Sequence, residues 1–251
     1  MEVVVPSGLS IDLRDYIDKR CAKRIFNGVV VEPEKISKLQ EILKVVNASQ
    51  QNMQITYVPN ASAVTGSTIA RSIKNTQHAL AIEVLNSSKA VRPLIDVQMG
   101  YLGELVVLEL TKLGLGSVWL GGDKIWYNSA EIRKITGSKL PIPLCIAFGY
   151  SDQPYVKFQR KPLSTICPQC PKHQTVNAEL INRAPSSQNK QLFTINFNEK
   201  VIFLKTERNA ISKVVFDYLT SFLDIGIAAA HAQLVNGGKI FVVEDGVEVR
   251  D

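Results

Sequence analysis

The densest charge in this sequence is the run Lys19-Arg20-Cys21-Ala22-Lys23-Arg24. Cations packed this closely have two uses. They can form a solvated face that complements the carboxyl end of a helix. They can also bind a phosphate and offset negative charge developing on a ring. A second basic pair, Arg160-Lys161, precedes Pro162-Leu163. Alone, it reads as an exposed surface pair. The loop Ala184 to Asn189 has different chemistry. Pro185 fixes the backbone, and Ser186, Ser187 and Asn189 add two hydroxyls and a carboxamide. Such a set suits the polar edge of a planar heterocycle. It suits equally a loop of local serine turns after a helix.

The stretch Gly114-Leu115-Gly116-Ser117-Val118-Trp119-Leu120-Gly121-Gly122 is the third candidate. Its glycines let a backbone approach a flat ligand closely. It lacks both the Gly-x-Gly-x-x-Gly order of a dinucleotide fold and the lysine of a P-loop. Cys167-Pro168-Gln169-Cys170, followed by His173, has half of a zinc spacing. A structural zinc site needs four ligands, and Cys21 and Cys145 lie far away in sequence, so no metal is expected and an exposed loop is the plainer reading. His231 sits among Ala and Leu and reads as a packed or partly exposed residue. His78 shows no partner pattern.

These groups need elements to hold them. Ile11 to Arg24 has the spacing of a short amphipathic helix, which places the basic run at its end. Glu32-Pro33-Glu34-Lys35 starts a second helix, with Pro in its first turn and acids near its positive end. Ile36, Leu39, Leu43 and Val46 give it an apolar face. Ile55–Val58 and Ala79–Leu85 read as strands. From Pro93 to Leu113 the chain is apolar on nearly every side, the mark of a central buried helix. Val118–Leu120 and Leu144–Tyr150 read as strands. The span 152–174 is proline-rich and irregular. Thr175 to Arg183 then reads as helix, Phe193 to Leu204 as a hairpin turning at Asn198-Glu199, Val214 to Val235 as a second buried helix, and Ile240–Val243 as a last strand.

The later stretch echoes the earlier one. Ser49, Gln51, Asn52 and Gln54 match Ser186, Gln188, Asn189 and Gln191 at a constant displacement of 137 (Asn189 against Asn52). Asp96 in the first buried helix matches Asp224 in the second, displaced by 128. Helix, polar loop, strand and buried helix recur in one order. This pattern predicts a duplication and a pseudo-two-fold arrangement, the single-chain counterpart of a symmetric dimer.

Composition narrows the classes. Of 251 residues, 45% are hydrophobic and 21% charged, which is globular and long enough to bury a core. The net charge of +6 is spread along the chain. One small anionic ligand suits that better than a nucleic acid. Four cysteines in this length are no disulfide framework. The first residues lack the basic start and apolar core of a signal peptide. No apolar run nears the roughly 18 residues of a membrane span. A soluble, cytoplasmic protein in a reducing compartment is expected.

Together the motifs resemble those of the nitroreductase-like FMN flavoproteins, over about residues 11 to 245. Lys19-Arg20-Cys21-Ala22-Lys23 is a conservative variant of the family's Arg-Arg-Ser-x-Arg. Pro185 to Gln191 reproduces Pro-Ser-Ser-x-Asn-x-Gln. Gly114 to Gly121 is close to Gly-Leu-Gly-Ser-x-Trp-Ile-Gly, and Gly149-Tyr150 with Arg160 to Leu163 matches Gly-Tyr-Pro and Arg-Lys-Pro-Leu. The order departs from the usual one. The loop after the first motif is eroded to Asn47-Ala48-Ser49-Gln50-Gln51-Asn52, and the intact copy lies in the second half. This resembles the nitroreductase subgroup with two half-domains fused in one chain.

The resemblance implies an α+β, nitroreductase-like sandwich. It would have a mixed or antiparallel sheet, central buried helices and an internal pseudo-two-fold repeat, with halves 1–165 and 166–251. It implies one FMN per chain and a monomer acting as a pseudo-dimer. Lys19, Arg160 and Lys161 would hold the phosphate. Arg20, Cys21 and Lys23 would line the ribityl chain and pyrimidine edge, with Lys23 offsetting charge on the reduced ring. Pro185, Ser186, Ser187 and Asn189 would contact the ring from the other half, and Leu120, Gly121 and Gly122 would lie near its reactive nitrogen. Cys21 replaces the usual Ser. Two Lys replace Arg, keeping charge but losing the bidentate fork. The chemistry would sit on the flavin, so no catalytic side chain is required. NAD(P)H would donate electrons and a small-molecule acceptor, a nitro compound or quinone, would take them in ping-pong fashion. The alternative is a flavin-binding or redox-sensing protein without turnover.

Overall fold

A computed structural model describes residues 1–9, 11–69, 72–206 and 218–250. In chain order its strands are β1 (Glu2–Val3), β2 (Met53–Pro59), β3 (His78–Val84), β4 (Gly116–Gly121), β5 (Leu144–Gly149), β6 (Phe193–Asn198), β7 (Val201–Thr206), β8 (Lys239–Val243) and β9 (Gly246–Arg250). Its α-helices are α1 (Pro33–Ala48), α2 (Ser62–Gly66), α3 (Arg92–Lys112), α4 (Ser129–Thr136), α5 (Leu163–Ile166), α6 (Thr175–Asn182) and α7 (Tyr218–Asn236). The elements form two compact units that alternate along the sequence. One comprises Lys19–Ser87 and Val106–Lys157. The other comprises Met1–Asp18, Ser88–Leu105 and Phe158–Asp251.

The first of these units is built on an antiparallel sheet in the order β2-β3-β5-β4. Strand alternation sends Val58, Ala79, Ala81, Val118, Leu120, Cys145 and Ala147 into one core with Phe26, Val64, Tyr127 and Ile132. α1 packs beside β2 and buries Leu39, Leu43 and Val46, the spacing expected of one apolar face. α4 was not anticipated, although its signals are in the sequence. The Asn128 side chain accepts from the Ala130 N–H at 3.1 Å, and Gly137, at φ 73°, closes the carboxyl end.

The other unit carries an antiparallel sheet in the order β1-β8-β9-β7-β6. The predicted hairpin is β6–β7, in which Asn198 pairs with Val201. α7 and the part of α3 up to Leu105 fill its core. Every residue of α3 from Ile95 to Leu110 is buried, as is every residue of α7 from Phe222 to Ala232. The expected start of the second helix, Val214 to Phe216 and Asp217, lies outside the described residues. Within this unit the helices meet backbone to backbone. A Cβ on Gly100 would fall 2.1 Å from the Leu223 carbonyl oxygen, and one on Gly226 would fall 2.3 Å from that of Val97. Beyond the crossing, His231 is packed as expected. Its Nε2 lies 3.2 Å from Glu104 Oε1 and its Nδ1 2.9 Å from the Leu180 carbonyl oxygen.

The expected helix over 11–24 is corrected. Only Ile11–Tyr16 is helical, as a 3-10 segment; 17–19 is a turn, and 20–26 is non-helical with isolated bridges at Ala22 and Ile25. The reason lies in where its backbone hydrogen bonds go. Lys23 N–H donates to Ser117 O at 2.9 Å, Lys74 N–H to Arg24 O at 2.9 Å, and Phe26 N–H to Lys74 O at 3.0 Å. Long-range pairing overrides the local apolar spacing of Leu13, Ile17 and Cys21. No helix among the described residues is long and apolar enough to cross a membrane.

The glycine crossing yields a stability test. Gly100→Ala and Gly226→Ala should each cost roughly 3 kcal/mol or more, because rigid backbone has to move. Gly66→Ala, with open space around it, should stay within about 0.5 kcal/mol of the parent. Urea unfolding of the three variants measures this. Equal losses would disprove the tight crossing.

Candidate functional site

The clearest cleft, about 290 Å³, lies within the unit of 19–87 and 106–157. It is lined by Lys19, Arg20, Cys21 and Lys23 on one strand-like segment, by Gly114–Gly116 and Thr111, and by Asn27 with Tyr150–Asp152. Two of the sequence motifs are therefore one piece of structure. Ala22 bridges Ser117 in parallel, which lays the basic run along the start of β4. Gly116 makes this possible. A Cβ there would lie 2.6 Å from Lys23 Cγ, so only glycine lets the lysine stem pass.

The segment after β5 secures the other side of the run. Gln153 Oε1 accepts from the N–H groups of Arg24 at 2.8 Å and Ile25 at 2.9 Å. Lys23 Nζ donates to the carbonyl oxygens of Gln153 at 2.5 Å and Pro154 at 2.9 Å. Asn27 N–H donates to Tyr150 O at 2.9 Å, and its amide to Asp152 Oδ1 at 3.1 Å. The Tyr150 hydroxyl donates to Glu32 Oε2 and accepts from Lys35 Nζ, each at 2.6 Å. Sequence reasoning missed Gln153, because it sits in an irregular stretch with no periodic signal.

A second cluster lies within the other unit. Arg160 donates to Asn189 Oδ1 and, at 2.9 Å, to the Arg183 carbonyl oxygen. Lys161 donates through its N–H to Gln191 Oε1 and through Nζ to Gln191 O, both at 2.7 Å. Asn189 Nδ2 donates to Gln159 O at 2.9 Å, and Gln191 N–H to Ser186 Oγ at 3.0 Å. The loop carries backbone strain. Gln188, Asn189 and Gln191 sit at φ 51°, 58° and 47°, in the left-handed region. None of residues 49–54, the matching stretch of the earlier half, has a positive φ.

Beneath this loop lies Asp224, which the sequence singled out only as the partner of Asp96 in the repeat. The Ser187 N–H donates to Asp224 Oδ1 at 2.9 Å. Burial pushes the carboxyl up from an ordinary 3.8 to about 7, against the opposing pull of the Ser187 N–H and of Arg160. Asp96 is equally buried but pairs with Arg92 on its own helix at 2.7 Å.

The expected site residues thus fall into three groups. Lys19, Arg20, Cys21 and Lys23 share the cleft. Arg160, Lys161, Pro185, Ser186, Ser187 and Asn189 belong to the second unit, where Arg160 and Lys161 clamp the loop of Ser186 and Asn189. Neither basic residue is the free surface cation that the sequence alone suggests. Leu120, Gly121 and Gly122 stand at the far end of β4, roughly 14 Å of strand from Gly116. The Leu120 side chain points into the core, so only its backbone can face a ligand.

Asp224 generates a pH test. Its folded pKa is raised, so between roughly pH 4 and 7 the folded carboxyl holds a proton that the unfolded one has released. That contribution to stability is complete at the acid end and is lost as pH rises through the window. Asp224→Asn keeps the acceptor for Ser187 and removes the titration. Urea unfolding across this range should show the parent losing stability relative to the variant. Parallel profiles would refute the raised pKa.

Comparison with known proteins follows the same lines. The family model described as "Putative TM nitroreductase" matches residues 12–236. A putative nitroreductase from Thermotoga maritima has the same fold, with a TM-score of 0.64 over 95% of this chain and 93% of that one, at 18% identity. A nitroreductase family protein from Streptococcus pneumoniae aligns at a TM-score of 0.50, covering 61% of this chain and 96% of its own, at 16% identity. An FMN-dependent nitroreductase from Clostridium difficile aligns at 0.44 over 57% and 90%, at 22% identity. No curated protein matches. The match over nearly the whole chain places this protein in the nitroreductase family described by that model, and so among the oxidoreductases.

Proposed function

We propose that the protein is an FMN-dependent oxidoreductase that takes electrons from NAD(P)H and passes them to nitro compounds, quinones or related acceptors. The observation that carries this reading is the cleft in which the basic run and the glycine turn are bridged to each other. Its donor set fits the cofactor. Lys19 and Arg20 offer cations for a phosphate. Gly114 has open space where a side chain would stand and the Leu115 side chain is buried, so this wall is largely backbone that a ligand can approach. Lys23 spends two of its three N–H donors on carbonyls, which fixes its ammonium in place.

FMN, when bound, supplies the redox chemistry. The chain binds and orients it. We infer that Lys19 holds the phosphate and that Arg20, Cys21 and Lys23 meet the ribityl chain and the polar edge of the ring. Arg160 and Lys161, with Pro185, Ser186, Ser187 and Asn189, form the second donor set, presented on a loop that Asp224 and Arg160 hold rigid. The backbone of Leu120, Gly121 and Gly122 serves the ring. We further propose that the chain is two fused halves, 1–165 and 166–251, and acts as a monomer. Its sedimentation should be that of a single chain.

The cofactor is tested first. Protein purified or reconstituted with FMN should be yellow and release one FMN per chain on denaturation. Lys19→Ala and Asn189→Ala should each weaken FMN binding roughly tenfold or more, as loss of a charge-assisted or ring contact does. Asn52→Ala, in the eroded earlier loop, should bind FMN as the parent does. A strong loss at Asn52 with none at Asn189 would reverse the roles of the halves. A colourless protein that cannot be reconstituted would end the FMN reading.

Turnover is tested separately, by anaerobic stopped-flow. NADH or NADPH should bleach the bound flavin, and a nitroaromatic or quinone should restore its colour in a second phase. Flavin that both nucleotides leave oxidised would identify a flavin-binding protein without turnover.

A further inference from the structure

The pair Cys167 and Cys170 takes no part in the reading above, yet its geometry is specific. Cys167 caps α5, and the Cys170 N–H donates to the Cys167 carbonyl oxygen at 3.1 Å. This closes a turn over Pro168 and Gln169. The first and fourth Cα atoms of such a turn lie within about 7 Å, and a disulfide spans about 4.4–6.8 Å. The turn therefore brings the two side chains within a disulfide's reach, while the Cys170 thiol donates to the Pro171 carbonyl oxygen at 3.7 Å. Their exposure differs. Cys167 is 2% exposed, whereas Cys170 is half-buried and open to a reagent. Both are free thiols. Among the described residues no third His, Cys, Asp or Glu joins them in a metal-binding group, and His173 is exposed.

We propose that Cys167 and Cys170 form a reversible dithiol–disulfide site that reacts with small disulfides, with Cys170 as the attacking thiol and Cys167 as the resolving one. Burial and the neighbouring sulfur push the Cys167 thiol up to about 12. The inner sulfur therefore keeps its proton while the outer one meets the reagent. In the first step the Cys170 thiolate attacks one sulfur of a small disulfide, and the other sulfur leaves as a thiolate. In the second, Cys167 gives up its proton to that thiolate and attacks Cys170 Sγ. This forms the Cys167–Cys170 bond and expels the remaining small thiol. Two protein thiols are oxidised and one disulfide is reduced to two thiols.

The turn also occupies a consequential place. It lies between the Arg160-Lys161 pair and α6, whose carboxyl end leads into the loop of Ser186 to Asn189. α5 itself packs on α6 and β6.

The full-length protein is incubated with glutathione disulfide, quenched in acid, denatured, alkylated and mapped by mass spectrometry. Two of its four thiols should disappear, with the loss of two hydrogens and an internal Cys167–Cys170 link. Dithiothreitol should restore all four. Cys167→Ser should stall with one glutathione on Cys170, and Cys170→Ser should leave Cys167 unmodified. If the buried substitution unfolds the chain, the map of the parent protein decides alone. Four unreacted thiols, a persistent glutathione adduct on the parent, faster reaction at Cys21 or Cys145, or a stoichiometric zinc held by the pair would each overturn the proposal.

Discussion

The burial of α3 on all sides is the constraint on which most of this structure depends. A helix with water on no face can carry a polar group only if a partner is supplied inside the protein. α3 meets that demand for two of its polar groups, with Arg92 reaching Asp96 at 2.7 Å and Glu104 facing His231 of α7; the buried Tyr101 hydroxyl is an exception, with no partner among the described residues. It also needs a neighbour that approaches closely, and Gly100 and Gly226 remove the side chains that would prevent it. Its carboxyl end turns through Gly114, at φ 77°, where Leu115 N–H reaches back to Leu110 O at 2.9 Å. The next residues are the wall of the cleft and the first of β4. Core helix and cleft wall are thus consecutive lengths of one chain segment.

The two basic motifs illustrate different uses of the same residue types. In the cleft the cations lie along one short segment whose backbone is tied at Lys23 to Ser117 and at Arg24 to Lys74 and Gln153. In the other unit Arg160 and Lys161 spend their donors on a loop, at Asn189, Arg183 and Gln191. That loop holds three non-glycine residues in a conformation that costs energy. The strain persists because Asp224 accepts from below at Ser187 while Arg160 ties the loop from the side.

Much of this was legible in the sequence, and the exceptions share a cause. α1, α3 and the β6–β7 hairpin are set by local patterns: a Pro at a helix start, an uninterrupted apolar run, an Asn-Glu turn. The resemblance likewise located the cleft residues, because the motifs are contiguous. The helix read over 11–24 failed where Lys23 and Arg24 exchange local hydrogen bonds for pairing with Ser117 and Lys74, which the sequence cannot reveal from spacing. Gln153 and Asp224 were missed for the same reason. Each acts through a contact with residues 37 to more than 120 positions away, and no local pattern marks it. α4 is the opposite case: its Asn128, Glu131 and Gly137 are ordinary capping signals that went unread.

The pairing of β1 with β8 has a consequence for how the chain assembles during synthesis. Glu2 lies opposite Phe241 and Val3 opposite Ile240, so β1 waits for a partner strand that is made far later in the chain. The unit that carries the cleft has its last residue at Lys157. Closing such distant contacts is slow, and domains generally fold as units, the earlier ones first. The residues of the cleft are thus all made while β1 is still without its strand partner, leaving the edge of β1 exposed until β8 follows.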